Sequence, residues 1–146
     1  GAWLGLDWGH SRAHLYRSVL EGLVYEYVCR LDLYRKISGK DAFKDVCVIG
    51  GGSANDLWNQ IKADALGIDY VKLRDAPYEC RGTALVAGGA VGIYENLSEL
   101  SRATVCEEQR YVARPDVTAI YREKLARYSK LKSSGLLCTC EELSRV

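Results

Sequence analysis

The segment from Val46 to Gly67 constrains this chain more than any other. Val46, Cys47, Val48 and Ile49 are four apolar residues in a row, three of them β-branched, and they run directly into Gly50, Gly51 and Gly52. Such a run predicts a strand buried on both faces and ended by the glycines. Ser53 and Asp56 have the spacing of a capping box. Leu57, Trp58, Ile61 and Ala65 recur at helical spacing, and Gly67 offers a C-terminal stop. The expected unit is strand, glycine turn, helix.

That unit bears on function. A helix N-terminus presents unpaired N–H groups and a partial positive charge, and residues without Cβ let a ligand approach the main chain. The local pattern leaves two readings open: a tight βα turn that binds nothing, or a turn in contact with a nucleotide.

The surrounding chain reads as α/β. Gly1 to Leu6 reads as a short strand, and a long helix follows. On it Leu15, Val19, Leu20, Leu23, Val24, Tyr27, Val28 and Leu31 share one broad face, with Gly39 at the exit. Tyr70 to Leu73 is a second strand, parallel to the first through a right-handed βαβ crossover. After Pro77, the small-residue run Gly82 to Gly92 suits a helix pressed against a neighbouring backbone. A polar link from Asn96 to about Gln109 leads to a last helix opened by Pro115 and Asp116. Its apolar face holds Val117, Ile120, Tyr121, Leu125, Tyr128 and Leu131.

Composition narrows the function classes. The 146 residues suit one domain, and 20 Lys+Arg against 19 Asp+Glu leave a net charge of +1 without a basic stripe. The electrostatic footprint of a nucleic-acid binder is therefore missing, and no partner of that kind is expected. No apolar run nears the roughly 20 residues a membrane helix needs, and no signal peptide is evident, so a cytoplasmic location without membrane contact is the default. The six cysteines lack the paired CxxC units of a zinc site, and reduced structural thiols are expected. The absence of methionine and the start inside a strand suggest a piece of a longer protein.

Several chemistries fail on spacing. Gly50-x-Gly52 lacks the third glycine of a dinucleotide fingerprint, since Asn55 stands there, and no Gly-Lys-Ser/Thr follows for a Walker loop. His10 and His14 have no companion ligand nearby, so they read as helix-entry residues and no metal site is expected. Glu21 reads as an exposed partner of Arg17 or of a neighbouring loop. Asp64, an anion near a helix C-terminus, is expected to hydrogen-bond a neighbour. Trp3, Trp8 and Trp58 read as core or pocket walls.

Three motifs in order resemble a known family. Gly1-x-Trp3-x-Gly5-Leu6, seven residues, then His14-Leu15-x-x-Ser18-Val19-Leu20-Glu21-Gly22 is similar to the second signature of the FGGY carbohydrate kinases. Gly50-Gly51-Gly52-Ser53 with Asn55, Trp58, Gln60, Ala63-Asp64 and Gly67 resembles their adenosine motif. Gly82 to Gly88 resembles their small-residue helix, with Thr83 in place of the more usual alanine.

The resemblance implies an actin-like ATPase fold of RNase H-like lobes, a mixed sheet with flanking helices. Residues 1–132 would be most of the C-terminal, nucleotide-binding lobe and 133–146 a tail with no counterpart. It implies that Gly50, Gly51, Gly52 and Ser53 meet the phosphates and ribose of ATP or ADP, and that Asn55 reaches the adenine. It further implies that the parent transfers the γ-phosphoryl of MgATP to a hydroxyl of a ketose or related sugar, with xylulokinase-like members most similar. Magnesium would be held mainly through the nucleotide and the missing lobe. The general-base aspartate and the sugar contacts would lie upstream, so no catalytic residue is assigned here, and the piece alone is expected to be inactive. An unpaired strand edge at Trp3 would favour pairing with a partner, a homodimer among them. The competing reading is a non-catalytic actin-like nucleotide-binding scaffold or regulator.

Overall fold

The computed structural model describes residues 2–39, 43–74, 77–135 and 139. Helix α1 spans Arg12–Ser38 and stops at Gly39, whose positive φ of 64° closes the last turn. Strand β1 is Asp45–Val48. Helix α2 is Asp56–Leu66, ended by Gly67 at φ 65°, and strand β2 is Asp69–Leu73. Helices α3, Tyr78–Ala90, and α4, Leu97–Thr104, precede strand β3, Glu107–Tyr111. Helix α5, Pro115–Ser133, opens on its proline as its sequence predicts.

The sheet order is β1-β2-β3. Strands β1 and β2 run parallel, pairing Val46 with Tyr70 and Val48 with Lys72, so the expected βαβ unit forms. Strand β3 adds antiparallel to β2, which makes the sheet mixed. Helix α4 and β3 replace the expected polar link. The helix fits the polar stretch because Asn96 caps it by accepting from the Glu99 N–H at 3.1 Å.

The core has two parts with α2 between them. On one side Ile61 and Ala65 pack with Leu20, Val24 and Val28 of α1 and Tyr121 of α5. On the other, Ala63 meets Tyr70 and Tyr111 of the sheet. Full burial of a side chain such as Val24 contributes about 1.5–3 kcal/mol, so this two-sided packing is what fixes α2 and the turn that feeds it. Residues of α5 share this core: Tyr121 is buried, whereas Ile120, expected inside, is 54% exposed.

Polar residues lock the same block. Asp64, 1% exposed, accepts from the Arg114 backbone N–H at 3.0 Å, from Nε at 3.2 Å and from Nη2 at 2.6 Å. The guanidinium offsets the unfavourable helix end, as the sequence leads one to expect of that anion. Glu21 departs from expectation. It is buried, with Oε1 accepting from Arg17 Nε at 2.8 Å and from the Tyr121 hydroxyl at 3.0 Å, and with Lys124 Nζ 3.2 Å from Oε2. The reason is that α5 crosses α1 at this point, so the carboxylate becomes the link between two helices.

Other expectations change with the tertiary arrangement. Residues 2–10 form no strand among the described residues. Trp3 and Trp8 are 53% and 105% exposed rather than core, although the Trp3 indole N–H donates to Ser18 Oγ on α1 at 3.1 Å. Strand β1 is a partly exposed edge, not a strand buried on both faces. Tyr16, Val19 and Leu23 of α1 are likewise open. Cys138 and Cys140 lie outside the described residues, and no described helix is long and apolar enough to cross a membrane.

Candidate functional site

The glycine turn is a 3-10 segment, Gly51–Ala54, entered through Gly50 at φ 80°. A side chain at Gly50 would be strained in that conformation. Built Cβ atoms at Gly50 and Gly51 would meet nothing within 4 Å among the described residues, so the main chain there is open to a ligand. Ser53 is buried, its N–H and its hydroxyl both donating to the Gly50 carbonyl, at 3.0 and 2.7 Å.

Ser53 is therefore not the helix cap its spacing predicts. Asn55 takes that role: its Oδ1 accepts from the Trp58 N–H at 3.0 Å, and α2 begins at Asp56. The inserted 3-10 turn moves the helix start by two residues and turns the serine inward. The Asn55 Nδ2 donates to the Tyr16 hydroxyl on α1 at 3.0 Å. An amide nitrogen carries two N–H donors, so one remains for another acceptor.

A hollow of about 250 Å³ lies beside the turn, lined by Ile49, Gly50, Gly51, Ser53 and Ala54 on one side. Lys72, Leu73, Arg74 and Tyr78, at the end of β2 and the start of α3, form the other side. Of the residues expected in a nucleotide site, Gly50, Gly51 and Ser53 come together here. Gly52 and Asn55 do not line the hollow; Gly52 sits over Trp58, whose ring lies 3.5 Å from a built Cβ.

Lys72, Arg74 and Tyr78 were not singled out from the sequence. The signal that points to them is topological, because ligands in parallel α/β sheets sit beyond the carboxyl ends of the strands; Lys72 lies at the end of the strand paired with β1, and Arg74 and Tyr78 follow it. Lys72 pairs with Glu108 at 2.8 Å, and that hydrogen bond raises the pKa of its amine. The Arg81 guanidinium stands 5.4 Å from the centre of the Tyr78 ring, which also lines the hollow.

The donor set is backbone N–H groups, two cations and one aromatic ring, which suits an anionic ligand with a flat ring. Among the described residues no carboxylate lines the hollow to hold magnesium directly. His10 and His14 serve the entry to α1. His10 contacts Asp7 at 2.9 Å, and the His14 ring accepts from the Ser11 N–H at 3.1 Å.

Beneath the turn, Asn59 is fully buried and Lys62 is 3% exposed. Burial lowers the pKa of the Lys62 amine, whose Nζ stands 3.7 Å from the centre of the Trp58 ring.

Comparison with known proteins gives the arrangement a lineage. The sequence pattern of the FGGY family of carbohydrate kinases, C-terminal domain, matches residues 1–91. The L-fuculokinase of Escherichia coli (strain K12) is 38% identical over 109 residues, 75% of this chain and 23% of that protein. The xylulose kinase of Bacillus subtilis (strain 168) is 28% identical over 131 residues, 90% of this chain and 26% of that protein. Identity thus does not single out xylulose kinases.

Among solved structures, a ligand-bound xylulose kinase from Lactobacillus acidophilus superposes with a TM-score of 0.78 at 18% identity, covering 92% of this chain and 27% of that one. A Plasmodium falciparum glycerol kinase with ADP gives 0.77 at 18% identity, covering 89% and 26%. These likenesses establish the actin-like ATPase fold. The chain spans about a quarter of the length of the relatives it matches. It belongs to the FGGY family of carbohydrate kinases, and its residues 1–91 are part of that family's C-terminal domain.

Proposed function

We propose that this chain supplies one wall of an ATP site in a sugar kinase, with the nucleotide in the hollow between the glycine turn and the end of β2. The observation that carries the reading is that hollow: open main chain at Gly50 and Gly51 faces Lys72, Arg74 and Tyr78. The phosphates and ribose lie in the hollow against Gly50, Gly51 and Ser53, and the nucleotide reaches past it along the turn to Gly52 and Asn55. The second Nδ2 donor of Asn55 meets the adenine edge, with Oδ1 still capping α2.

The protein that carries the chain transfers the γ-phosphoryl of MgATP to a hydroxyl of a ketose or related, xylulose-like sugar. The general-base aspartate and the sugar contacts come from another lobe, as does the hold on magnesium apart from the nucleotide itself. Residues 1–132 make up the lobe described here and 133–146 its tail. The 146 residues alone phosphorylate no sugar, because they offer one side of a two-sided site.

The test is calorimetry of MgATP and MgADP binding to the protein that carries the chain, wild type and Asn55→Ala, with a panel of pentuloses and hexuloses as acceptors. Weaker binding in the variant and turnover of one sugar by the wild type are expected. Unchanged binding without any acceptor moves the assignment to a non-catalytic nucleotide-binding scaffold.

A further inference from the structure

We propose that Asn59, steadied by Lys62, is a positioning residue for the nucleotide turn, holding it from beneath; this rests on the nucleotide reading above. Asn59 is fully buried, one turn into α2, and does not itself line the hollow. Its Nδ2 donates to the Ser53 carbonyl at 2.7 Å. Ser53 in turn donates its hydroxyl and its N–H to the Gly50 carbonyl. One path of hydrogen bonds therefore runs from the interior of α2 to the residue whose open main chain faces the ligand.

The chemistry at Asn59 is specific. A carbonyl can only accept, so the Ser53 oxygen fixes Nδ2 on its side and leaves Oδ1 pointing the other way. There Oδ1 meets Lys62 Nζ, a long contact at 3.5 Å. The same amine lies over the Trp58 ring at 3.7 Å, and Trp58 supports Gly52 from below. Lys62 thus steadies the turn twice, through the amide and through the indole. A carboxylate at 59 would pair with Lys62 but could not donate to Ser53, and a leucine would do neither. Glycines are chosen for backbone freedom, and a turn free to move must be ordered when a ligand binds; a fixed carbonyl beneath it removes that cost in advance.

The variants Asn59→Asp and Lys62→Met in the protein that carries the chain test the assignment. The readouts are the calorimetric Kd of MgADP, the KM for the sugar acceptor and the melting temperature without nucleotide. Asn59→Asp retains the shape and gains a charge partner in Lys62. Its Kd for MgADP is expected to rise about tenfold, the scale of one lost buried hydrogen bond, with the acceptor KM unchanged. Lys62→Met is expected to give a smaller rise, about threefold, the scale of a weak cation–π contact.

A wild type that binds no MgADP defeats the nucleotide reading itself. A wild type that binds, beside a folded Asn59→Asp of equal affinity, defeats the positioning role alone. Should Asn59→Asp fail to fold, Lys62→Met decides: an unchanged Kd overturns the proposal and a raised one supports it.

Discussion

Helices α2 and α3 both fall within the matched residues 1–91, yet the structure holds them differently. Helix α2 is enclosed: Asn59 and all five residues from Ile61 to Ala65 are buried. It meets α1 and α5 on one side and the sheet on the other. Helix α3 packs against α4, with Gly88 under the Tyr94 ring and Gly89 under Leu97. The rest of its small-residue face is open, with Val86 66% exposed. Its further anchor is Arg81, which donates to the Thr104 carbonyl at 2.7 Å. Small residues mark a surface made for close approach, but only the tertiary structure says whether anything has approached.

The largest expected effect lies at the centre of α2. Ile61→Ala opens a cavity between α1, α2 and α5, at a site 2% exposed, and is expected to destabilise by about 3 kcal/mol in denaturant unfolding. A loss below about 1 kcal/mol would mean that the block collapses onto the gap and that α2 is less firmly enclosed than its burial indicates.

A second test addresses the polar link between α1 and α5. Burial alone would raise the Glu21 pKa, but hydrogen bonding to Arg17, the Lys124 charge and the Tyr121 hydroxyl outweigh it and hold it below the ordinary 4.5. A carboxylate depressed in the folded state stabilises above its unfolded pKa, and that contribution is lost as pH falls through the folded value. Glu21→Gln is therefore expected to cost about 1–2 kcal/mol at neutral pH. The gap to wild type should narrow only below pH 4.5. A gap constant down to acid unfolding would show that the charge is irrelevant and only the shape matters.

The smallest effect has the opposite sign and separates the two helices most sharply. A Cβ at Gly82 in α3 meets nothing within 4 Å, so Gly82→Ala is expected to stabilise the chain by roughly 0.5–1 kcal/mol through helix propensity alone. The same substitution in the protein that carries the chain reports on what covers α3 there. A loss of stability instead of a gain would show a partner backbone seated on the glycine.

Much of the fold was legible in the residues themselves. The strand and glycine turn, the stops at Gly39 and Gly67 and the proline-opened α5 follow from propensities that act over a few residues, and the strand–helix–strand order leads to the parallel pairing of β1 with β2. They appear where the pattern places them because no distant contact opposes them.

What the sequence left open depended on which of several available contacts each polar group makes, near or far along the chain. Ser53 has cap spacing, yet its hydroxyl turns to Gly50 and Asn55 caps the helix. Glu21 has the spacing of an exposed pair, yet α5 crosses over it, 100 residues away along the chain. Lys72, Arg74 and Tyr78 join the glycine turn only because β2 lies beside β1. By itself the sequence determined the long helices, the two parallel strands and the glycine turn, since backbone conformation and side-chain periodicity there are settled locally; it misplaced a strand at residues 1–6 and missed α4 and β3. Only the tertiary structure decided which polar groups are buried together and which faces remain open, because burial depends on what the rest of the chain brings near.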